Sequence, residues 1–385
     1  MISPNPVGRQ QLFLALQARI EQGQYAPGAW LPAERALAEE FGLDRSAIRS
    51  ALRQLEDLGL IVRETGKRPW VRGGQPGNRQ AGAGEGARQA SAVELRTIVA
   101  ILPQHPLYPA SLAIMHGINA TLRSTEAPFR LQIIDTHGGS EIRETSLEKK
   151  ALDSVVREKI AGVVLWHMGG AETLPQLRQL DRLGIPVVFV DRFPDSLPCD
   201  FVGGDNHAGI EAGVEYLRHL GHRRIAHLTT DEQSTAVLER LAAYNEVILT
   251  VSSTPRREWV FQVSHNDPTN VSAAYDHFFA LDEPPTAVVT LNDALAYHFI
   301  AECQKRGKAV PEEISVIGFD DLEQHSPRPA LLTTLHQPFD KMGRRAADLL
   351  LRRLAGPDTA QDIRRHILLP TPLIKRSTCQ PPAGK

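Results

Sequence analysis

The chain has 385 residues, which at roughly 150 residues per domain implies two or three domains and excludes a single small module. Apolar residues make up 42% and charged residues 23%, ordinary proportions for a folded globular chain, so a disordered or fibrous protein is excluded. The net charge is −2, so any contact with nucleic acid has to come from local basic groups.

In chain order, Met1 to Arg9 lack the basic segment and apolar stretch of a secretory signal. A cytoplasmic location is expected. Leu12, Leu16 and Ile20 then recur at helical spacing, and the stretch from Gly23 to Gly28 ends that helix. A second helix is expected from Pro32 through Leu37 and Phe41, with Gly42 as its stop. Asp44 is a good N-cap for a third helix running to Leu58, with Ile48, Leu52 and Leu55 facing inward. Leu60 to Arg63 and Trp70 to Arg72 bracket Glu64 to Pro69 as a short hairpin. The pattern is that of a winged helix-turn-helix.

The third helix carries Arg45, Arg49 and Arg53 four residues apart, which places three guanidinium groups on one stripe opposite the apolar face. Such a stripe suits a DNA major groove, where arginine bridges a guanine edge or pairs with phosphate. A solvated charged face has the same sequence pattern, and the hairpin, with Lys67 and Arg68 at its tip, favours DNA. The string LPAERALAEEFGLDRSAIRSALRQLEDLGLI, Leu31 to Ile61, resembles the DNA-binding module of GntR-family transcription regulators. That resemblance implies that Arg35, Arg45, Ser46 and Arg49 touch operator DNA, with Gly66 and Lys67 at the wing. The wing departs from the family pattern Gly-x-Gly-x-Phe/Tyr-Val, because Lys67, Arg68 and Pro69 precede Trp70 and Val71 here.

Residues 73–92, GGQPGNRQAGAGEGARQASA, contain no large apolar side chain and read as a flexible linker. The expected organisation is therefore a DNA-binding domain at 1–72, a linker at 73–92 and a second domain at 93–385. In the second domain, apolar runs at Ile98 to Leu102, Leu131 to Ile134, Gly162 to Trp166, Pro186 to Val190, Phe201 to Gly203, Arg224 to Leu228, Ala287 to Leu291 and Ile314 to Phe319 alternate with helical periods. This is the order of βα units around a parallel sheet. In open α/β sheets ligands bind beyond the carboxyl ends of the strands, which singles out Tyr108, Trp166, Asp191, Arg192, Asn292, Asp293, Asp320 and Asp321. Carboxylates, an amide, a guanidinium and two aromatic rings suit a polyhydroxylated ligand such as a sugar. Any one such aspartate is also explained as a cap for the next helix.

The strings VDR at 190–192, GHRRIAHL at 221–228, NDALAYHF at 292–299, VPEEISVIGFDD at 310–321 and LLTTLHQPFDKMGRRAADLLLRRL at 331–354 resemble the effector domain of LacI/GalR-family regulators. The resemblance covers nearly all of Arg96 to Arg376 and implies a periplasmic-binding-protein-like fold, two α/β lobes joined by three crossovers with the ligand between them. It places effector contacts on Tyr108, Trp166, Asp191, Arg240, Asn292 and Asp320. The chain departs from the family at Ala243-Tyr244, where Gly-Phe/Tyr is usual, and in having the loose linker instead of a hinge helix. A GntR-type head on a LacI-type sensor is the architecture of arabinose-repressor-like regulators.

Cys199, Cys303 and Cys379 are odd in number and far apart, with no CxxC and no histidine at ligand spacing, so neither a disulfide scaffold nor a metal site is expected. His219 and His222 are read as structural. No run of 18 apolar residues offers a membrane span, and no GxSxG, HExxH or P-loop motif offers an enzyme. The expectation is a homodimeric, non-enzymatic repressor without cofactor, bound to double-stranded operator DNA and controlled by a small sugar. A nucleobase or other metabolite is the alternative effector, and a solute-binding protein the alternative class.

Overall fold

A computed structural model describes residues 12–13, 16, 19–20, 25, 28–57, 60–63, 68–72, 96–104, 109–125, 129–138, 144–158, 160–168, 170–251, 257–264, 268–322, 330–356 and 363–382. The chain divides into two compact units, Met1–Ala92 and Val93–Lys385. The expected linker at 73–92 lies outside the described residues.

In the first unit, Leu12, Phe13, Leu16, Arg19 and Ile20 are helical, and two further helices follow, α1 (Glu34–Phe41) and α2 (Arg45–Asp57). Gly42 takes a left-handed conformation with φ 63° and returns its N–H to Ala38 O, which stops α1 one turn before α2 begins. The Asp44 carboxylate accepts from Ala47 N at 2.9 Å and so caps α2 as its sequence predicts. Strand β1 (Ile61–Val62) pairs antiparallel with β2 (Trp70–Val71). Leu12, Leu16, Leu37, Ile48, Leu52 and Leu55 are buried in one apolar cluster, so the inward faces of all three helices meet there.

The second unit has two lobes. The first lobe runs β3 (Arg96–Leu102), α3 (Ala110–Arg123), β4 (Phe129–Asp135), α4 (Glu144–Arg157), β5 (Gly162–Leu165), α5 (Leu174–Arg182), β6 (Val187–Val190) and β7 (Asp200–Gly204). The chain then enters the second lobe through α6 (Asn206–Leu220), β8 (Ile225–Thr230), α7 (Thr235–Val251), β9 (Val260–Val263), α8 (Pro268–Ala280), β10 (Ala287–Thr290), α9 (Asp293–Lys305), β11 (Ser315–Asp320) and β12 (Thr333–His336). It returns through α10 (Phe339–Leu354) to β13 (His366–Leu369), and crosses again to β14 (Leu373–Ile374). Sheet order is β13-β7-β6-β5-β3-β4 in the first lobe and β14-β12-β11-β10-β8-β9 in the second. Every pairing is parallel except β12 with β14.

Strands β5, β8, β10 and β11 are buried along their whole length, because helices cover both faces of a parallel sheet and the strands read as continuous apolar runs. The first lobe is further fixed by a close crossing of α3 and α10. A Cβ on Gly117 would sit 2.0 Å from Asp340 O, and one on Gly343 would sit 2.0 Å from Ile114 O. Only glycine permits that approach. The topology turns the carboxyl ends of the central strands of both sheets toward one cleft.

Candidate functional site

Trp166 follows β5, Asp191 and Arg192 follow β6, Asn292 follows β10 and Asp320 ends β11. Together with Arg240 from α7, Glu232 ahead of it and Phe339 at the start of α10, these residues line one cleft between the lobes. Counted out to its open mouth, solvent-filled space included, the cleft measures about 430 Å³. Five of the six effector residues expected from sequence are thus brought together. Tyr108, the sixth, lies outside the described residues.

Arg240 is buried and sits at the centre of a network. Its Nε donates to Asn206 Oδ1 at 2.8 Å, its Nη1 donates to Leu291 O at 2.7 Å, and Asp320 Oδ1 is 3.7 Å from Nη1. The guanidinium also lies 3.7 Å from the centroid of the Phe319 ring. Burial lowers its pKa, opposed by the charges of Asp320 and Asp191. Burial in turn pushes the Asp320 carboxyl up to about 6, held there against a larger rise by Arg240 and by a hydrogen bond from Gln337. Asn206 passes the network on, since its Nδ2 donates to Glu239 Oε2 at 2.7 Å.

Gln337, in the second crossover, donates from one amide nitrogen to Asp320 Oδ1 at 2.9 Å and to Asp191 Oδ1 at 3.3 Å. One side chain therefore joins carboxylates of the two lobes. Arg192 adds a second tie, donating to Asp191 Oδ2 at 3.0 Å within its own lobe and to Glu232 of the other. Trp166 stacks on Phe339 with ring centroids 6.2 Å apart, and Arg192 lies 5.8 Å from its ring. The indole Nε1 of Trp166 is buried and has no partner among the described residues, a donor that a ligand acceptor would satisfy.

Asp191, Asp320 and Asp321 have φ angles of 65°, 117° and 57°, in the region that favours glycine. Such strain gathers where a backbone is bent to aim side chains. The three strand-end aspartates of the second lobe have different duties. Asp293 accepts from Thr334 Oγ1 at 2.5 Å and from Leu322 N at 2.9 Å, and burial lifts its carboxyl to about 8. Asp321 holds Arg376 at 2.6 Å and His336 at 3.1 Å. Only Asp320 faces the cleft. Asn292 caps α9, its Oδ1 accepting from Leu295 N at 2.9 Å, while also lining the cavity.

Arg192, Glu232 and Phe339 line the cleft and Asn206 and Gln337 brace its side chains from behind, without any of the five having been among the expected effector contacts. Arg192 alone had a sequence signal, its place at a strand end. His222 is buried against Thr286 Oγ1 at 2.8 Å and Ser315 Oγ at 3.1 Å, and no group of three or more metal-ligating side chains occurs among the described residues.

In the first unit, Arg35, Arg45, Ser46, Arg49 and Arg53 are exposed. Arg49 donates to Glu34 at 2.9 Å and Arg35 to Glu39 at 3.0 Å. Arg45 and Arg53 have no hydrogen-bond or ion-pair partner among the described residues. Arg68 is not a free tip residue, because its guanidinium donates to Leu31 O at 3.2 and 2.7 Å and pins the hairpin to the helices. Gly66 and Lys67 lie outside the described residues.

Residues 9–71 match the family described as bacterial regulatory proteins, gntR family, and residues 214–379 match the periplasmic binding protein-like domain. The chain is 27% identical over 378 residues to the arabinose metabolism transcriptional repressor of Geobacillus stearothermophilus, across 96% of each chain. It is 31% identical over 201 residues to the HTH-type transcriptional repressor PurR of Vibrio campbellii, a stretch covering 52% of this chain and 59% of that one. Solved structures similar to it include a transcription regulator from Lactobacillus plantarum, with TM-score 0.61 and 19% identity. A LacI family transcriptional regulator from Enterococcus faecalis, solved with bound ribose, has TM-score 0.59 and 22% identity. Each covers 74% of this chain and 99% of its own, and these likenesses show the two-lobed fold.

Proposed function

From a GntR-type winged helix-turn-helix head joined to a two-lobed periplasmic-binding-protein-like unit, we propose a DNA-binding transcriptional repressor of carbohydrate-utilisation genes whose DNA affinity is set by a small sugar held between the lobes. In this reading residues 1–72 bind operator DNA, 73–92 link, and 93–385 bind effector and form the homodimer, all in the cytoplasm. A two-fold dimer suits a palindromic operator.

The observation that carries the sensor reading is the cleft itself. It holds the unpartnered Trp166 indole N–H beside stacked rings, and two carboxylates from opposite lobes joined by Gln337. A sugar lays its C–H face on an aromatic ring and directs hydroxyls to planar acceptors and donors. Ligand atoms that replace the Gln337 and Arg192–Glu232 ties connect occupancy to the closure of the lobes, the kind of differential contact that a population shift requires. The ribose bound in the Enterococcus faecalis structure and the similarity to an arabinose metabolism repressor support a sugar. The aromatic platform also accommodates a planar nucleobase, the second reading.

In the head, Arg45 and Arg49 of α2 supply base and phosphate contacts, with Arg35 and Ser46 at its flank. The test is calorimetry of the full-length protein with pentoses, hexoses, disaccharides and nucleobases, beside the Asp320→Ala variant. Binding of a sugar, weakened ten- to hundred-fold or so by the substitution, supports the reading. Binding of nucleobases alone, or unchanged sugar affinity in the variant, rejects it.

A further inference from the structure

The polar groups lining the cleft have an uneven charge. Three carboxylates, Asp191, Glu232 and Asp320, face two guanidiniums, Arg192 and Arg240, an excess of one negative charge. Each guanidinium already balances a carboxylate. Arg240 is engaged by Asn206, Leu291 O and Asp320 and covered on one face by Phe319, and Arg192 by Asp191 and Glu232. Acceptors and donors both remain open: Asp320 Oδ2, Asn292 Nδ2 and the Nη2 groups of Arg192 and Arg240 make no hydrogen bond among the described residues, and the indole N–H of Trp166 is buried without a partner there.

We propose that the cleft selects an uncharged, hydroxyl-bearing ligand and rejects its phosphate esters, an inference that rests on the reading of the cleft as the effector site. A hydroxyl donates and accepts at once, so one can donate to Asp320 while another accepts from Trp166. A phosphate ester carries close to two negative charges at neutral pH and its oxygens chiefly accept. It would meet an excess of carboxylate, with each guanidinium already paired to one, and like charges brought together in a closed cleft are strongly unfavourable. Glu232 sets this selectivity from the mouth of the cleft, because it is the carboxylate in excess and is itself bound to Arg192.

The test is calorimetry of the full-length protein at pH 7.5 with matched pairs: arabinose, ribose and glucose against their terminal phosphates, and adenosine against its 5′-monophosphate. The expected result is that an uncharged member binds and its ester binds at least about thirty-fold more weakly. The Glu232→Gln variant, which removes the excess charge, is expected to narrow that ratio about ten-fold. An ester that binds within about thirty-fold of its partner overturns the inference, as does an unchanged ratio in the Glu232→Gln variant or the absence of binding by every uncharged member. Adenosine binding without any sugar would remove the sugar reading while leaving the charge selection standing.

Discussion

Replacing Arg240 by alanine tests the network at the centre of the cleft. The side chain gives hydrogen bonds of 2.8 and 2.7 Å to Asn206 and Leu291 O and balances the buried Asp320 at 3.7 Å. Removing one partner of a buried ion pair costs about 3–5 kcal/mol, because the other charge is left uncompensated. At roughly 2–4 °C per kcal/mol for a domain of a few hundred residues, the second unit should melt about 10 °C lower. Acid should lessen the loss. The Asp320 carboxyl, already raised to about 6 by burial, rises further without the guanidinium, takes up a proton and ceases to be an unpaired charge. The Arg240→Ala, Asp320→Asn double variant should regain part of the stability, since neither charge remains. Scanning calorimetry at pH 5 and pH 8 on wild type, single and double variants reads all three effects. An Arg240→Ala melting temperature within 2 °C or so of wild type, or an equal loss at both pH values with no recovery in the double variant, would refute the argument.

Three more expectations follow from local geometry. Burial lifts the Asp293 carboxyl from the ordinary carboxylate range to about 8, so the folded state holds an extra proton between those values; stability from this group is lost as pH rises toward 8, at up to about 1.4 kcal/mol per pH unit. Denaturant unfolding of wild type should therefore weaken from pH 6.5 to 8, and the Asp293→Asn variant should show a flatter profile. Gly117→Ala or Gly343→Ala puts a methyl 2.0 Å from a backbone oxygen and should destabilise the second unit by about 3 kcal/mol or more, seen as a lower melting temperature with head-only DNA binding intact. Arg45→Ala or Arg49→Ala should each weaken operator binding by about 1–3 kcal/mol in fluorescence anisotropy while leaving effector affinity unchanged; wild-type affinity in both would remove α2 from the groove.

Much of this architecture is legible in the chain because parallel strands covered on both faces must be continuously apolar. VAIL in β3 and SVIGF in β11 announce themselves in that way. The strands that escape the sequence are TTLH, VFQV, HILL and LI, in β12, β9, β13 and β14. Three of these lie at sheet edges, where one neighbour suffices and apolar content is relaxed. The rule that polar residues gather at strand ends finds Trp166, Asp191, Asn292 and Asp320, yet it cannot separate Asp320 from Asp293 and Asp321. That distinction depends on backbone direction, with φ at 117° and 57° for Asp320 and Asp321, and on Thr334, His336 and Arg376 brought from distant strands. Asn206 and Gln337 carry no local signal at all. They matter because two crossovers deliver them beside Arg240 and between two carboxylates.

Control of DNA binding by occupancy of the cleft is read by titrating an operator-bound, full-length dimer with a calorimetrically verified ligand while following operator anisotropy. The operator is a DNA segment selected by the purified protein itself. The ligand is expected to release the operator from wild type, whereas Asp320→Ala stays bound through the same titration. Release of both proteins at the same ligand concentration, or retention of the operator by wild type at saturating ligand, would contradict that control.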